Sequence, residues 1–313
     1  MPQHASSTAA GAWRIAPGRS ITLDAPRLMA VINITPDSFS DGGLHADPAA
    51  ALSRCRQVLD EGADILDIGP ESTRPGADPV SSDVQIRRAL PVIAAIREAG
   101  ITAAISIDTT STAVARAALN AGADIINDTS AGRDDEATLS LAAERACGLI
   151  LMHRRTTPRL ERFSTEYSRA PSYDEQGGIV AAVRRFLQER AAAANSAGVR
   201  RESIVLDPGL GFGKSVEQNF ALLAAAPELR SLGFPLLCAA SRKSFIGAAS
   251  GEPDPARRVA GSIAAAVEQY HAGVRLFRVH DVADHAAALR VAASLSSPGE
   301  SRRTGIVGDF SPP

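Results

Sequence analysis

The sequence predicts an α/β fold, a closed (β/α)8 TIM barrel in a single domain, and three observations carry that prediction. Short apolar runs recur about eight times, each followed within a few residues by a polar cluster. The helical stretches between them end on glycine just before the next run. No Gly-rich dinucleotide turn follows the first run, as it usually does in an open doubly wound sheet. Parallel barrels build their sites from the loops after the strands, which is where polar residues then gather.

The candidate strands are 28–33, 65–68, 104–107, 125–127, 149–152, 204–206, 236–239 and 275–278. The first runs into Asn33, Thr35, Asp37 and Ser38; the second into Glu71, Ser72, Thr73, Arg74, Pro75 and Gly76. Asp108 follows the third, Asn127 and Asp128 end the fourth, and Asp207 follows the sixth. The seventh leads to Ser241, Arg242 and Lys243, and the last to Arg278 and His280. The first helix opens on Asp47-Pro48, an N-cap acid before a first-turn proline. Leu52, Cys55, Val58 and Leu59 then keep helical spacing, and Gly62 closes it. Gly100, Gly122 and Gly198 close three more helices ahead of strands. Residues 154–178 form a long polar connection, of a length that marks a functional or mobile segment. Residues 1–11, rich in Ala and Ser, and 296–313, rich in Ser, Pro, Gly and Arg, read as loose tails around a barrel of 12–295.

Composition narrows the function. A chain of 313 residues with net charge −2 lacks the cationic excess of a nucleic-acid binder. No apolar run is long enough to span a bilayer, and the N-terminus shows no secretory pattern. Cys55, Cys147 and Cys238 are far apart and lie in apolar patterns, which fits a reducing cytoplasm. No clustered Cys/His zinc pattern occurs.

The strand ends carry the chemistry. Asp108, Asn127 and Asp207 converge at a barrel mouth, where acceptors and an amide together suit a flat heterocycle with N–H and C=O edges. Any one of them alone equally caps a helix. Residues 209–215 resemble a phosphate loop but have Pro208 where glycine is needed; they read as a flexible loop presenting Phe212, or as a plain tight turn. Ser241-Arg242-Lys243-Ser244, between apolar pairs, reads as an anion site at a helix start in preference to a solvated basic turn. Arg278 and His280 share a face by period two, where barrels often bind phosphate, the alternative being a satisfied core histidine and a surface arginine. Asn33, with the oxygen-rich residues after it, suits Mg²⁺ shared with a substrate phosphate. The second loop, through Thr73, Arg74 and Pro75, shapes a pocket for an aromatic acid, or an exposed turn.

Eight motifs in order then resemble dihydropteroate synthases: INITPDSFSDGG (32–43), ESTRPGA (71–77), SIDTT (106–110), INDTSAG (126–132), LMH (151–153), DPGLGFGK (207–214), SRKSFIG (241–247) and RVHDV (278–282). The resemblance implies that 4-aminobenzoate displaces pyrophosphate from 6-hydroxymethyl-7,8-dihydropterin pyrophosphate to give 7,8-dihydropteroate, in folate biosynthesis. It also implies Mg²⁺, a homodimer, a cytoplasmic location and sulfonamides as inhibitors. Carried over by motif, Asp108, Asn127, Met152, Asp207, Phe212 and Lys243 hold the pterin. Phe39, Thr73, Arg74, Pro75 and Ser244 form the 4-aminobenzoate pocket. Asn33, Arg242, Arg278 and His280 hold pyrophosphate, with Asn33 on the metal. Lys243, Asp108, Arg278 and His280 are the expected catalytic set.

Three departures stand out: Pro70 where glycine is usual, Ala239 in place of a glycine, and Arg154-Arg155-Thr156-Thr157 after His153 in place of a turn containing Met and Gly. The alternatives are a pterin-dependent methyltransferase barrel, which should lack the STRPG and SRK loops, a Schiff-base aldolase on Lys243, and a non-catalytic pterin-binding relative, which should have lost the anion site.

Overall fold

Apolar runs of four to seven residues bury both faces only in a parallel sheet covered by helices. The computed structural model, which describes residues 11–35 and 47–296, shows this arrangement. The barrel strands are β3 (Arg27–Asn33), β4 (Ile65–Gly69), β5 (Ala104–Asp108), β6 (Ile125–Asp128), β7 (Gly148–Met152), β8 (Ile204–Asp207), β9 (Leu237–Cys238) and β10 (Leu276–Val279). All eight are parallel, in spatial order β8-β7-β6-β5-β4-β3-β10-β9. A parallel bridge between Leu206 and Leu236 joins the two ends, and the Leu206 amide donates to the Pro235 carbonyl at 2.9 Å, closing the barrel.

The outer ring comprises α1 (Pro48–Asp60), α2 (Ser82–Glu98), α3 (Thr112–Asn120), α4 (Ala137–Arg145), α5 (Ile179–Ser196), α6 (Val216–Ala224), α7 (Ala226–Arg230), α8 (Ser244–Ser250), α9 (Val259–His271) and α10 (Val282–Ser296). Asp47 caps α1, accepting from the Ala49 amide at 2.9 Å. Gly62 ends that unit with φ +107°, a conformation other residues rarely adopt.

The expected strand positions hold to within a residue or two. The seventh, read as 236–239, is shorter at Leu237–Cys238. Pro235 cannot donate to a ladder, and Ala239 and Ala240 already turn into the next loop. The last helix runs through Ser296, one residue past the expected boundary. The remainder of both expected tails lies outside the described residues.

An antiparallel hairpin precedes the barrel: β1 (Ala12–Ala16) and β2 (Arg19–Thr22). Its apolar residues Trp13 and Ile15, with Leu23, cover the N-terminal end of the barrel. They pack on Met29, Ile65, Ala104, Ile125, Ile150, Val205, Leu237 and Leu276, one residue from each strand. The Trp13 indole N–H donates to the Ser203 carbonyl at 2.9 Å. The alternate strand residues, such as Leu66, Ile105 and Leu151, face the helices in a separate core.

Strand periodicity positions the site. Two residues beyond the apolar interior layer, the same strand faces carry Asp67, Asn127, Met152, Asp207 and Arg278. Two further on stand Gly69, Asp108 follows the pairing of its neighbours, and His280 caps the last strand. The barrel interior thus changes from apolar floor to polar mouth within one pleat.

Candidate active site

Asp67 lies within the apolar run Ile65–Ile68, inside the barrel, and is fully buried. A charge there requires a partner. Arg278 supplies it: its Nε donates to Asp67 Oδ2 at 2.7 Å, and its Nη2 donates to Asp108 Oδ2 at 2.9 Å. Asn127 Nδ2 also donates to Asp67 Oδ2, at 3.3 Å. Two carboxylates, one guanidinium and one amide therefore form a single network across the barrel.

The second oxygen of each carboxylate, Asp67 Oδ1 and Asp108 Oδ1, is buried with no hydrogen-bond partner. Such atoms are rare in folded proteins and mark places where a ligand or water donates. Burial raises the Asp108 pKa to about 7; Arg278 opposes this, while Asp67 adds to it. Burial also disfavours the Arg278 cation, but Asp67 and Asp108 outweigh it and hold its pKa above the ordinary value.

The opposite wall is built by β7 and β8. Met152 pairs in register with Asp207. Asp207 Oδ1 accepts from the Gly209 amide at 2.7 Å, and burial raises its pKa against the pull of Lys243. Gly209 has φ +67°, and a Cβ there would stand 1.8 Å from the His153 carbonyl oxygen, so only glycine fits. Of the two readings of residues 209–215, flexible loop or plain tight turn, the structure shows the turn, with the Phe212 amide donating to the Gly209 carbonyl at 3.1 Å. Lys214, fully buried, donates to the carbonyls of Gly209 at 2.8 Å and Phe212 at 2.7 Å and pairs with His153 Nδ1 at 3.0 Å. A lysine that resembled a phosphate ligand is thus a structural pin for the turn.

That turn supports Lys243. Its ammonium donates to the Leu210 carbonyl and lies 4.7 Å from the Phe212 ring centroid. Burial lowers its pKa to about 8, with Asp207 opposing. Gly211 keeps the approach open, since a Cβ there would meet Lys243 Cδ at 3.0 Å.

The remaining expected residues line the rim. Asn33 ends β3, with its Oδ1 3.1 Å from where a Cβ on Gly69 would stand. His280 Nδ1 and Ser241 Oγ are 3.1 Å apart, and burial with the Arg278 charge lowers the His280 pKa to about 3. His280 is therefore neutral at pH 7 and the local cation is Arg278. Arg242 is not directed to the anion site in this geometry. Its Nε donates to Asp281 Oδ2 at 2.9 Å, and Arg258 Nη1 donates to its carbonyl at 3.0 Å, so it anchors its own loop. Thr73 lines a cavity of about 180 Å³ at the mouth with Glu71, Ser72, Asp108, Thr109 and Arg154. Arg74 is exposed beside it, and Pro75 is half-buried. Ser244 Oγ accepts from the Ser164 amide at 3.1 Å, tying the 154–178 connection to α8. Phe39 lies outside the described residues.

The second loop is held from below. Arg88, buried, donates to the Pro70 carbonyl at 2.9 Å, and Gln85 links Glu71 to Thr109. The Gly76 amide donates to the Pro158 carbonyl at 2.9 Å, joining this loop to the long connection. Asp67, absent from the site read from sequence, is the centre of the observed network. The available signal was an acid in an otherwise apolar strand.

Residues 29–280 match the model of the pterin binding enzyme family. A dihydropteroate synthase from Neisseria meningitidis is 44% identical over 276 residues, 87% of this chain and 93% of that protein. The chain belongs to the dihydropteroate synthase family. Solved family structures superpose on it. One from Xanthomonas albilineans with 4-aminobenzoic acid has a TM-score of 0.81 at 43% identity, covering 91% of this chain and 99% of that one. One from Thermus thermophilus, in complex with 6HMPPP, has 0.75 at 40% identity over 91% and 99%. One from Yersinia pestis, in a sulfonamide drug complex, has 0.80 at 36% identity over 90% and 98%.

Proposed function

We propose that the mouth performs the dihydropteroate synthase reaction chiefly by stabilising the leaving group. The chain is a transferase of folate biosynthesis: 4-aminobenzoate and 6-hydroxymethyl-7,8-dihydropterin pyrophosphate give 7,8-dihydropteroate and pyrophosphate. The observation that carries the mechanism is Arg278, held between Asp67 and Asp108 at the end of β10.

Asp108, Asn127 and Asp207 offer the acceptors and amide that a pterin edge requires. Met152 and Phe212 supply apolar faces, and Lys243 a donor beside them. Arg278 meets the pyrophosphate with a charge already fixed in place, so little reorganisation accompanies the C–O cleavage. The electron pair of that bond leaves with pyrophosphate. The aniline nitrogen of 4-aminobenzoate forms the new C–N bond at the methylene and then loses a proton. A neutral aniline is nucleophilic without a strong base, and the mechanism assigns none. Thr73, Arg74, Pro75 and Ser244 place the second substrate, and the same contacts explain sulfonamide binding as a structural analogue.

Mg²⁺ fits the donor set as a metal shared with substrate. Asn33 offers a single amide oxygen, and among the described residues no group of three His, Cys, Asp or Glu could hold a metal alone. Mg²⁺ characteristically binds through few protein oxygens plus phosphates and water, and there neutralises developing phosphate charge. No helix among the described residues is long and apolar enough to cross a membrane. A cytoplasmic homodimer, as the family resemblance implies, completes the proposal. The test is product analysis with both substrates and Mg²⁺. Dihydropteroate and pyrophosphate in equal amounts support the proposal; bound pterin with no product contradicts it.

A further inference from the structure

We propose a second anion site, outside the barrel mouth, that takes a phosphate-class oxyanion. It is a cavity of about 290 Å³ between the 154–178 connection and the flank of α5. Four guanidinium groups line it, from Arg133, Arg154, Arg155 and Arg185, against one carboxylate, Glu189. This inference stands apart from the synthase mechanism.

Solvated arginines normally spread apart. Here Arg133, Arg155 and Arg185 are exposed, yet the first two are held in place beside the buried Arg154. Arg133 lies over the Phe186 ring at 5.1 Å, and its Nη2 donates to the Arg154 carbonyl at 2.9 Å. Arg155 lies over the Tyr173 ring at 5.8 Å. Both rings are fixed, Tyr173 by its hydroxyl donating to the Gly213 carbonyl at 2.8 Å and Phe186 edge-on to His153 at 4.9 Å. Among the described residues Arg133, Arg155 and Arg185 form no ion pair. Arg133 is exposed, but partial desolvation and the neighbouring Arg154 charge disfavour its cation, a cost that an anion would relieve.

The floor points the same way. Arg154, which lies between this cavity and the mouth cavity and lines both, is 2% exposed, and its Nε is buried with no partner although its other end pairs with Asp134. His153 also lines the cavity, its Nδ1 3.0 Å from Lys214 Nζ. Ser172 and Gln176 add neutral donors to the lining. Planar guanidiniums over a low-dielectric floor match phosphate oxygens, and a concave basic wall focuses the field. Arg154 and Arg155 belong to the Arg-Arg-Thr-Thr segment that departs from the family pattern, so the site is a property of this chain.

The source is either the pyrophosphate product or another phosphate. Equilibrium dialysis of the full chain against radiolabelled pyrophosphate, and separately inorganic phosphate, with chelator present, tests the site. The wild type should bind two equivalents of the preferred anion. Arg278→Gln, which weakens the mouth, should retain one. Arg133→Gln with Arg185→Gln should lose the other, its affinity falling ~tenfold or more as two charged hydrogen-bond donors go, while turnover stays at the wild-type level. Arg56→Gln, an exposed arginine elsewhere, should still bind two. Tighter binding of pyrophosphate assigns the site to product, and tighter binding of phosphate assigns it to another source. Unchanged stoichiometry and affinity in the double variant would overturn the proposal, as would loss of all binding in Arg278→Gln.

Discussion

Asp67 shows how one residue sets the electrostatics of the mouth. It lies beneath the expected substrate residues, fixes Arg278, accepts from Asn127 and raises the Asp108 pKa. Replacing it with Asn keeps the shape and removes the charge. Asp67→Asn should lower kcat/KM for the pterin substrate ~10- to 100-fold, as supporting hydrogen-bond partners commonly do. The sign of the pH effect follows from the coupling. The free protein needs Asp108 ionised to accept pterin N–H groups, so kcat/KM should rise with pH through about 7. Without the Asp67 charge, Asp108 ionises more easily, and that limb should move to lower pH. A pH profile of kcat/KM for both proteins checks this, and an unmoved limb would reduce Asp67 to a packing role. Asp108, Asn127, Asp207 and Arg278 were legible because strand ends are where barrels place polar groups. Asp67 was not, because an isolated acid in a four-residue apolar run gives no indication of a partner 211 positions away.

At the scale of elements, the loop after β8 gains its rigidity from Lys214. Lys214→Met should leave the Gly209 and Phe212 carbonyls and His153 Nδ1 unpaired, destabilising the fold by ~1–3 kcal/mol in urea titrations. Burial holds the Lys214 pKa to about 7 against its ordinary 10.5. Between those values the unfolded chain carries a proton that the folded chain lacks, so this group makes stability rise with pH across that window. The variant should lose that rise. Comparison of urea midpoints at pH 7 and 9 measures it. The eight barrel strands were readable because each is a compact apolar run with punctuating glycines. For 209–215 the choice between flexible loop and tight turn stayed open, since glycines signal permitted conformations and not the buried lysine that selects one.

Over the whole molecule, stability and chemistry occupy opposite ends of the barrel. The β1–β2 hairpin seals the floor, and Trp13 is fully buried there. Trp13→Ala should cost ~3–5 kcal/mol of stability, seen as a lowered Tm, with kcat retained at temperatures where the variant stays folded. The hairpin was missed in sequence because its alternation spans only Trp13, Ile15 and Ile21, too short to outweigh the disordered reading of its neighbours. The central claim concerns the other end: Arg278 acts on the leaving group while the ring pocket binds the pterin. Its most direct measurement compares Arg278→Gln, whose amide nitrogen takes the place of Nε toward Asp67 but lacks the Nη2 donor to Asp108, with the wild type in two assays. One is single-turnover formation of dihydropteroate; the other is the Kd of 6-hydroxymethyl-7,8-dihydropterin, which lacks pyrophosphate. The predicted result is a rate lower by ~100-fold or more, with a much smaller loss in Kd, which arises only because Asp108 without the Arg278 charge is harder to ionise. Equal losses in both assays, or an unchanged rate, would contradict the account.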